Sequence, residues 1–152
     1  MQGGRIAAGA GAALIALGAT TFAWLSTPQP QNKKLALYQA QCFTLLSATM
    51  VQLAKEQVYF KALEAYRTPQ QATWNAARGI GVAKSAHTKS LAWDLARVLP
   101  DGTVSYEHKD YAYAGEVWKE VGIRAKIKTR WGGDFRNKDS VHFSCQTPEG
   151  WQ

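Results

Sequence analysis

Two short segments place histidine and carboxylate side chains at spacings that suit a single metal ion. Residues 85–94 read SAHTKSLAWD and contain His87 and Asp94, and residues 139–143 read DSVHF and contain His142. If both segments hold one metal ion, they must meet in the folded chain. This requirement constrains the fold more than any other feature of the sequence.

The polar side chains of these segments match the composition of hydrolytic zinc sites. Such sites commonly use three His, Asp or Glu ligands and leave the fourth position to water. His87, Asp94 and His142 would provide the three ligands, and Asp139 would be free to take a proton from the bound water. The alternative is that these are ordinary structural or surface side chains. His108 has polar neighbours and is predicted to be structural or solvent-facing.

Length and composition indicate one globular domain with an appendage. A chain of 152 residues with 46% hydrophobic and 19% charged residues is not typical of a disordered protein. The net charge of +7 favours anionic partners such as nucleic acid, anionic lipid or bacterial wall polymer, although solubility alone would also explain it. No nucleic-acid-binding motif accompanies the charge, so we expect no nucleic-acid partner.

A segment of twenty uncharged residues, Ile6–Leu25, is long enough to cross a hydrocarbon core of roughly 30 Å as a helix. It contains eight alanines and three glycines, so it is only weakly apolar. We predict an uncleaved signal-anchor or transmembrane segment at 1–25, with a signal peptide cut near Ala23 as the alternative. Residues 26–33 are predicted to be a linker, and residues 34–152 an exported domain.

Apolar periodicity predicts a small α+β domain after the linker. An amphipathic helix is expected from Lys34 to about Lys55, and strands are expected within residues 58–67 and 90–98. The sequence PDG at residues 100–102 predicts a hairpin turn after the second strand.

A second helix is predicted within residues 111–122, and a strand with a basic face within residues 123–130. Asp110 is the candidate N-cap of this helix, and Gly122 is expected just after its last turn.

Cys42 and Cys145 are the two cysteines of the chain. In an oxidising compartment they could form a disulfide, and otherwise they would be two buried free thiols. Their spacing matches no metal motif, and the sequence does not decide between the two states because the distance between them is not known.

Five sequence elements occur in an order that resembles the M15 (VanY/VanX-like) peptidoglycan peptidases, especially the short phage endolysins of that group. They are AYRTPQQ (65–71), SAHTKSLAWD (85–94), GEVWKEVG (115–122), WGGDF (131–135) and DSVHF (139–143). The core of that family reads S-x-H-x-x-G-x-A-x-D, then W-G-G-D-[WF], then [DE]-x-x-H-F. The resemblance covers about residues 58–143 and implies a single Hedgehog/DD-peptidase-like zinc-peptidase domain.

Carried over by position, the resemblance implies one Zn²⁺ bound by His87, Asp94 and His142, with Asp139 as the catalytic base. It also implies that Arg67 stabilises the developing oxyanion or holds the substrate, a role that suits a fixed cation near a polarised carbonyl.

The resemblance further implies that Ser85 contacts either a metal-binding residue or the substrate. It also implies that Trp131 lines the cleft and contacts the substrate; core packing is the alternative for Trp131. Two positions depart from the family pattern. Ser90 stands where the family usually has glycine, and Ser144 stands where glutamate is common. Neither departure removes a predicted ligand.

The function implied by the resemblance is a phage endolysin, an L-alanyl-D-glutamate endopeptidase that cuts peptidoglycan stem peptides for host cell lysis. The alternatives are a D-alanyl-D-alanine carboxypeptidase of wall remodelling and a non-catalytic, membrane-anchored wall-binding protein. Ile6–Leu25 is similar to the signal-arrest-release segments of some phage endolysins. We therefore expect a monomer in the host inner membrane, facing the periplasm, with release as a soluble periplasmic enzyme as a second state.

Overall fold

The computed structural model describes residues 33–146, which form an α+β unit with three α-helices and a five-stranded sheet. Its helices and strands in chain order are α1 (Lys33–Lys55), β1 (Tyr59–Glu64), α2 (Pro69–Ala77), β2 (Ala92–Val98), β3 (Val104–Ser105), α3 (Ala112–Ala125), β4 (Thr129–Trp131) and β5 (His142–Cys145). Short 3₁₀ helices lie at Ala86–Lys89, His108–Asp110 and Gly132–Asp134. The predicted α+β class is confirmed for these residues.

The sheet is antiparallel and has the strand order β1–β2–β5–β4, with β3 pairing the end of β2. Strand β2 is central because it pairs with β1 on one side and with β5 and β3 on the other. The β2–β3 hairpin confirms the turn predicted at residues 100–102. Gly102 in this turn has a φ of 83°, which a residue with a side chain rarely adopts.

Helix α1 packs one face against α3 and β1, as its apolar spacing predicts. The buried side chains recur every three or four residues, so they lie along a single stripe. They are Tyr38, Cys42, Leu45, Leu46, Thr49 and Leu53.

Strand β5 separates the hydrophobic core from the face that carries the polar candidates. Phe143 and Cys145 are buried in the core. His142 and Ser144 point to the opposite face, because successive side chains on a strand alternate, and both line a cleft. Trp93 of β2 pairs with Phe143 and is buried on the same core face.

Cys42 and Cys145 are free thiols in the structure, and both are buried. The two thiols hydrogen-bond to each other. This hydrogen bond, together with burial, raises the pKa of the Cys145 thiol above its ordinary value. Of the two predicted states, the structure therefore shows two buried free thiols in contact with each other.

The start of α3 differs from the prediction. Its N-cap is Tyr111, and Asp110 lies in the 3₁₀ turn before it. The Asp110 carboxylate accepts a hydrogen bond from the Ser105 hydroxyl, so it stabilises the connection from β3 instead of capping the helix.

The end of α3 also differs, because the helix continues past Gly122 to Ala125. Lys126 follows in the left-handed conformation, with a φ of 56°. A Cβ at Gly122 would lie 2.4 Å from Thr129 Oγ1, so glycine here permits close packing of β4 and does not end the helix. As a result, the strand predicted within residues 123–130 is only Thr129–Trp131.

The predicted signal-anchor segment at 1–25 and all of the predicted linker at 26–33 except Lys33, the first residue of α1, lie outside the described residues. Within residues 33–146, no helix combines the length and the hydrophobicity that a membrane span requires. The predicted boundaries between anchor, linker and domain remain predictions.

Candidate metal centre

His87 is presented by the short 3₁₀ helix Ala86–Lys89. The Ser85 hydroxyl accepts a hydrogen bond from the His87 backbone N–H at 3.3 Å and so caps this helix. Ser90 ends it in the left-handed conformation, with φ 49° and ψ 40°. The cap and the left-handed turn together direct the buried His87 ring toward β2.

Asp94 and His142 come from the neighbouring strands β2 and β5. Their Cα atoms are paired directly in the antiparallel register, so their side chains lie on the same face of the sheet. His142 Nδ1 lies 3.1 Å from Asp94 Oδ1. The sheet therefore places two of the three predicted ligands side by side.

The three candidate ligand atoms form a nearly equilateral triangle. His87 Nε2 lies 3.2 Å from Asp94 Oδ1 and 3.2 Å from His142 Nδ1. The third side of the triangle is the 3.1 Å distance between His142 Nδ1 and Asp94 Oδ1. Asp94 Oδ1 can accept a hydrogen bond from both rings, but both ring nitrogens then carry a proton and neither can accept from the other. Hydrogen bonds alone cannot satisfy all three contacts, whereas a cation among the three atoms can.

The donor set and its spacing fit a small transition-metal ion. Four-coordinate zinc at about 2.0–2.1 Å from its ligands separates neighbouring ligand atoms by roughly 3.3 Å. His87 Nδ1 is buried and has no hydrogen-bond partner among the described residues. The polar contacts of this ring therefore run through Nε2, toward the other two ligands. The structure thus contains a possible metal-binding cluster of His87, Asp94 and His142.

The charge of Asp94 is stabilised where it lies. Burial by itself would raise the pKa of Asp94, but hydrogen bonds from His142 and His87 outweigh burial and hold the pKa well below its usual range. The carboxyl group is therefore ionised at neutral pH, which is the form that binds a cation.

Asp139 lines the cleft beside the cluster. Its backbone N–H donates to Gly132 O at 2.9 Å, and its carbonyl accepts from the His142 N–H at 3.0 Å. A Cβ at Gly132 would lie 2.1 Å from the Asp139 carbonyl oxygen. Gly132, the first glycine of the WGGDF element, therefore lets the segment that contains Asp139 approach the end of β4.

The surroundings of Asp139 raise the pKa of its carboxyl group above the ordinary value. Partial desolvation at the cleft wall, and then the negative charge of Asp94, raise the pKa of Asp139, although His142, His87 and Arg67 oppose this effect. A carboxyl group whose pKa is shifted toward neutrality suits a proton acceptor.

Arg67 lies next to the cluster and is held by Glu64, a residue that the sequence analysis missed. Arg67 Nε donates to Glu64 Oε1 at 3.1 Å, and Nη2 also pairs with the same carboxylate. The Arg67 guanidinium lies 4.0 Å from Asp94 Oδ2. Hydrogen bonding to Glu64 raises the pKa of Arg67 above its ordinary value. The only feature of the sequence that could have indicated this ion pair was the three-residue spacing of Glu64 and Arg67.

A bulge in β1 brings Glu64 to this position. The register of β1 against β2 shifts between Ala62 and Glu64, and Glu64 then pairs with Asp94. Bulges of this kind redirect a side chain at the end of a strand. A regular period-two pattern would not have placed Glu64 there.

Ser85 and Trp131, two of the residues with a predicted substrate contact, make hydrogen bonds within the protein. Ser85 lines the cleft, but its hydroxyl caps the helix that carries His87. Trp131 does not line the cleft and is buried in the core, where its Nε1 donates to Ser140 O at 2.9 Å. The position of Trp131 therefore favours core packing, the alternative reading of this residue.

His108 makes structural contacts, which is one of the two alternatives predicted for it. Its ring stacks on Trp131 with centroids 5.1 Å apart, and its Nδ1 lies 3.0 Å from Ser140 Oγ. Because Ser140 follows Asp139, this contact supports the segment that carries the predicted base. Nothing in the polar surroundings of His108 in the sequence indicated this contact.

The cluster opens into a cleft of about 1110 Å³. The carboxylates that line it are Asp94 and Asp139, which both belong to the candidate centre. The cationic side chains that line it are Arg67, Lys84, Lys89, Arg130 and Lys138. The cleft around the candidate centre is therefore positively charged and suits an anionic ligand.

Fold and site together define an α+β protein with a candidate metal centre of two histidines and one aspartate in an open, basic cleft. No family model matches the chain, and no curated protein is similar to it in sequence. Among solved structures, the fold is similar to the crystal structure of the Serratia marcescens L-Ala D-Glu endopeptidase ChiX, with a TM-score of 0.55 and 25% sequence identity. The similarity covers 65% of this chain and 77% of that one. This finding supports the resemblance to a peptidase.

Proposed function

We propose that this protein is a zinc-dependent peptidoglycan endopeptidase that cuts the stem peptide between L-alanine and D-glutamate, as a phage endolysin does. The observation that carries the proposal is the triangle of His87 Nε2, Asp94 Oδ1 and His142 Nδ1, with sides of 3.1–3.2 Å. The similarity of the fold to ChiX, an L-Ala D-Glu endopeptidase, supports the choice of reaction.

Each residue of the site has a distinct part in this reaction. Zinc, when bound, activates water and polarises the scissile carbonyl. His87, Asp94 and His142 would hold the ion, and Asp139 would accept a proton from the water that attacks the peptide carbonyl. Arg67, fixed by Glu64, offers its guanidinium to the oxygen on which negative charge develops.

Digestion of purified muropeptides with the full-length protein in detergent tests the proposal. We expect stems cut between L-alanine and D-glutamate in the presence of zinc, and no cleavage after chelation. Release of a terminal D-alanine instead would identify a D-alanyl-D-alanine carboxypeptidase. Unchanged muropeptides that nevertheless co-sediment with the protein would identify a non-catalytic wall-binding protein.

The sequence supports a membrane-linked site of action for this enzyme. We propose that Ile6–Leu25 exports the domain to the periplasmic face of the host inner membrane, and that the segment later leaves the bilayer without cleavage. More than half of its residues are alanine or glycine, so little apolar area per residue holds it in lipid. A monomer restrained in this way would reach the stem peptides only on release.

A further inference from the structure

Arg130 lies on the same face of the sheet as the candidate metal centre. It pairs with Ser144 in the register between β4 and β5, and Ser144 is two residues from His142. Side chains two positions apart on a strand point the same way. Arg130 is therefore a diagonal neighbour of His142, with Cβ atoms about 7 Å apart, and its side chain lines the cleft.

The guanidinium of Arg130 packs against an aromatic ring. Its Cζ lies 4.7 Å from the ring centroid of Phe135, which in turn lies 5.8 Å from that of His142. The backbone is also fixed, because Trp118 Nε1 donates to the Arg130 carbonyl at 3.1 Å. Arg130 is exposed, and the ring contact favours positions of its guanidinium over Phe135, the ring that neighbours His142 of the candidate centre.

No carboxylate of the described residues forms a salt bridge with Arg130, in contrast to Arg67, which pairs with Glu64. Lys138, another cation of the cleft, lies 3.4 Å from His108 Nε2. An arginine presents a rigid fork of donors that fits a carboxylate in a bidentate manner, which a lysine cannot do. Arg130 is thus the cleft cation that is best prepared for a carboxylate from outside the protein.

We propose that Arg130 binds the free carboxylate of the substrate residue that follows the scissile bond. This inference rests on the proposed function, in which that residue is glutamate. A glutamyl residue within a peptide chain uses one of its two carboxyl groups in the next amide bond and keeps the other charged. One extended residue spans about 3.3–3.6 Å, so this carboxylate lies within reach of a side chain that is a diagonal neighbour of a metal ligand.

The test compares two stem peptides that differ only in this carboxylate, which is free in one and a carboxamide in the other. Arg130→Gln should lower kcat/KM for the free carboxylate about 10- to 100-fold, mainly through KM, because it removes a charge-assisted contact. It should change kcat/KM for the carboxamide less than about threefold. Arg130→Lys should recover part of the loss. Arg124→Gln, which removes an exposed cation outside the cleft, is the control and should leave both values unchanged.

If Arg130→Gln lowers kcat/KM equally for the two peptides, the inference is overturned and the proposed function stays intact. Arg130 would then support the site without binding the carboxylate. If the wild-type protein cleaves neither peptide, the proposed function fails. In that case, a calorimetric titration with the two glutamyl product peptides, one with the free carboxylate and one with the carboxamide, tests independently whether Arg130 binds the carboxylate. Tighter binding of the carboxylate form by wild type, lost in Arg130→Gln, supports the inference, and equal binding of both forms by wild type overturns it.

Discussion

Asp94 Oδ1 and His142 Nδ1 lie 3.1 Å apart, on residues that are paired directly across β2 and β5. The neighbouring pair, Trp93 and Phe143, points to the other side of the sheet and is buried in the core. A shift of one residue in the register would move each side chain to the opposite face. Burial of the aromatic pair therefore holds the two candidate ligands in the cleft.

The first prediction concerns the metal. His87→Ala, Asp94→Ala and His142→Ala should each lose bound zinc, because each ligand atom contacts the other two and an open site has no spare ligand. Zinc per chain, measured after dialysis, checks this. His108→Ala is the matched control and should keep a ratio near that of wild type. Ratios that stay at the wild-type value in all three variants would exclude this set of ligands.

The second prediction concerns the base. Asp139→Asn should retain zinc and lose about 10²–10⁴-fold in kcat, because a carboxamide cannot take up a proton from water. Asp134→Asn is the control, since it removes only a surface carboxylate that pairs with Lys119 at 2.9 Å. Loss of zinc from Asp139→Asn, with an unchanged rate per bound zinc, would instead make Asp139 a ligand.

The third prediction concerns the turn after His87. Ser90 has a φ of 49°, a conformation that costs residues with a side chain about 1–2 kcal/mol. Ser90→Gly should raise the free energy of unfolding by about 0.5–1 kcal/mol, after the larger backbone entropy of glycine is subtracted. Ser47→Gly, at an exposed position inside α1, should lower it by about 0.5 kcal/mol. Urea unfolding checks both, and a less stable Ser90→Gly variant would contradict the argument.

The fourth prediction concerns Gly132. A Cβ there would lie 2.1 Å from the Asp139 carbonyl oxygen and 2.9 Å from His142 Cβ, so the backbone would have to move. Gly132→Ala should reduce stability by about 1–3 kcal/mol and displace the base, with loss of hydrolysis. In Gly81→Ala, the new Cβ would make ordinary contacts at 3.7 and 3.8 Å, so this control should change stability by less than about 0.5 kcal/mol. Similar melting temperatures for the two variants would show that the chain accommodates the methyl group.

The fifth prediction concerns release from the membrane. Treatment of cells with an uncoupler should move full-length protein from the membrane fraction to the soluble fraction, because Ile6–Leu25 is weakly apolar. Replacement of Gly9, Gly11 and Gly18 by leucine should block this movement by adding apolar area. A shortened soluble product that begins after Ala23, and is present before the uncoupler is added, would indicate a cleaved signal peptide instead.

Local patterns in the sequence predicted the elements whose formation depends on neighbouring residues. The stripe of apolar residues predicted α1, and the turn sequence at residues 100–102 predicted the hairpin after β2. The spacing of His87, Asp94 and His142 identified the side chains that the fold brings together. These predictions succeeded because helix periodicity, turn chemistry and ligand types are properties of short segments.

Tertiary contacts decided the features that depend on which strands meet and how closely. The bulge that sets Glu64 against Asp94 and the burial of Trp131 depend on the register between strands distant in sequence. The sequence alone predicts that the helix ends at Gly122, but in the structure this glycine permits the close packing of β4 against α3. Arg130 becomes a neighbour of His142 only when β4 pairs with β5. Register and packing are set by the whole core, so no short segment of the chain contains that information.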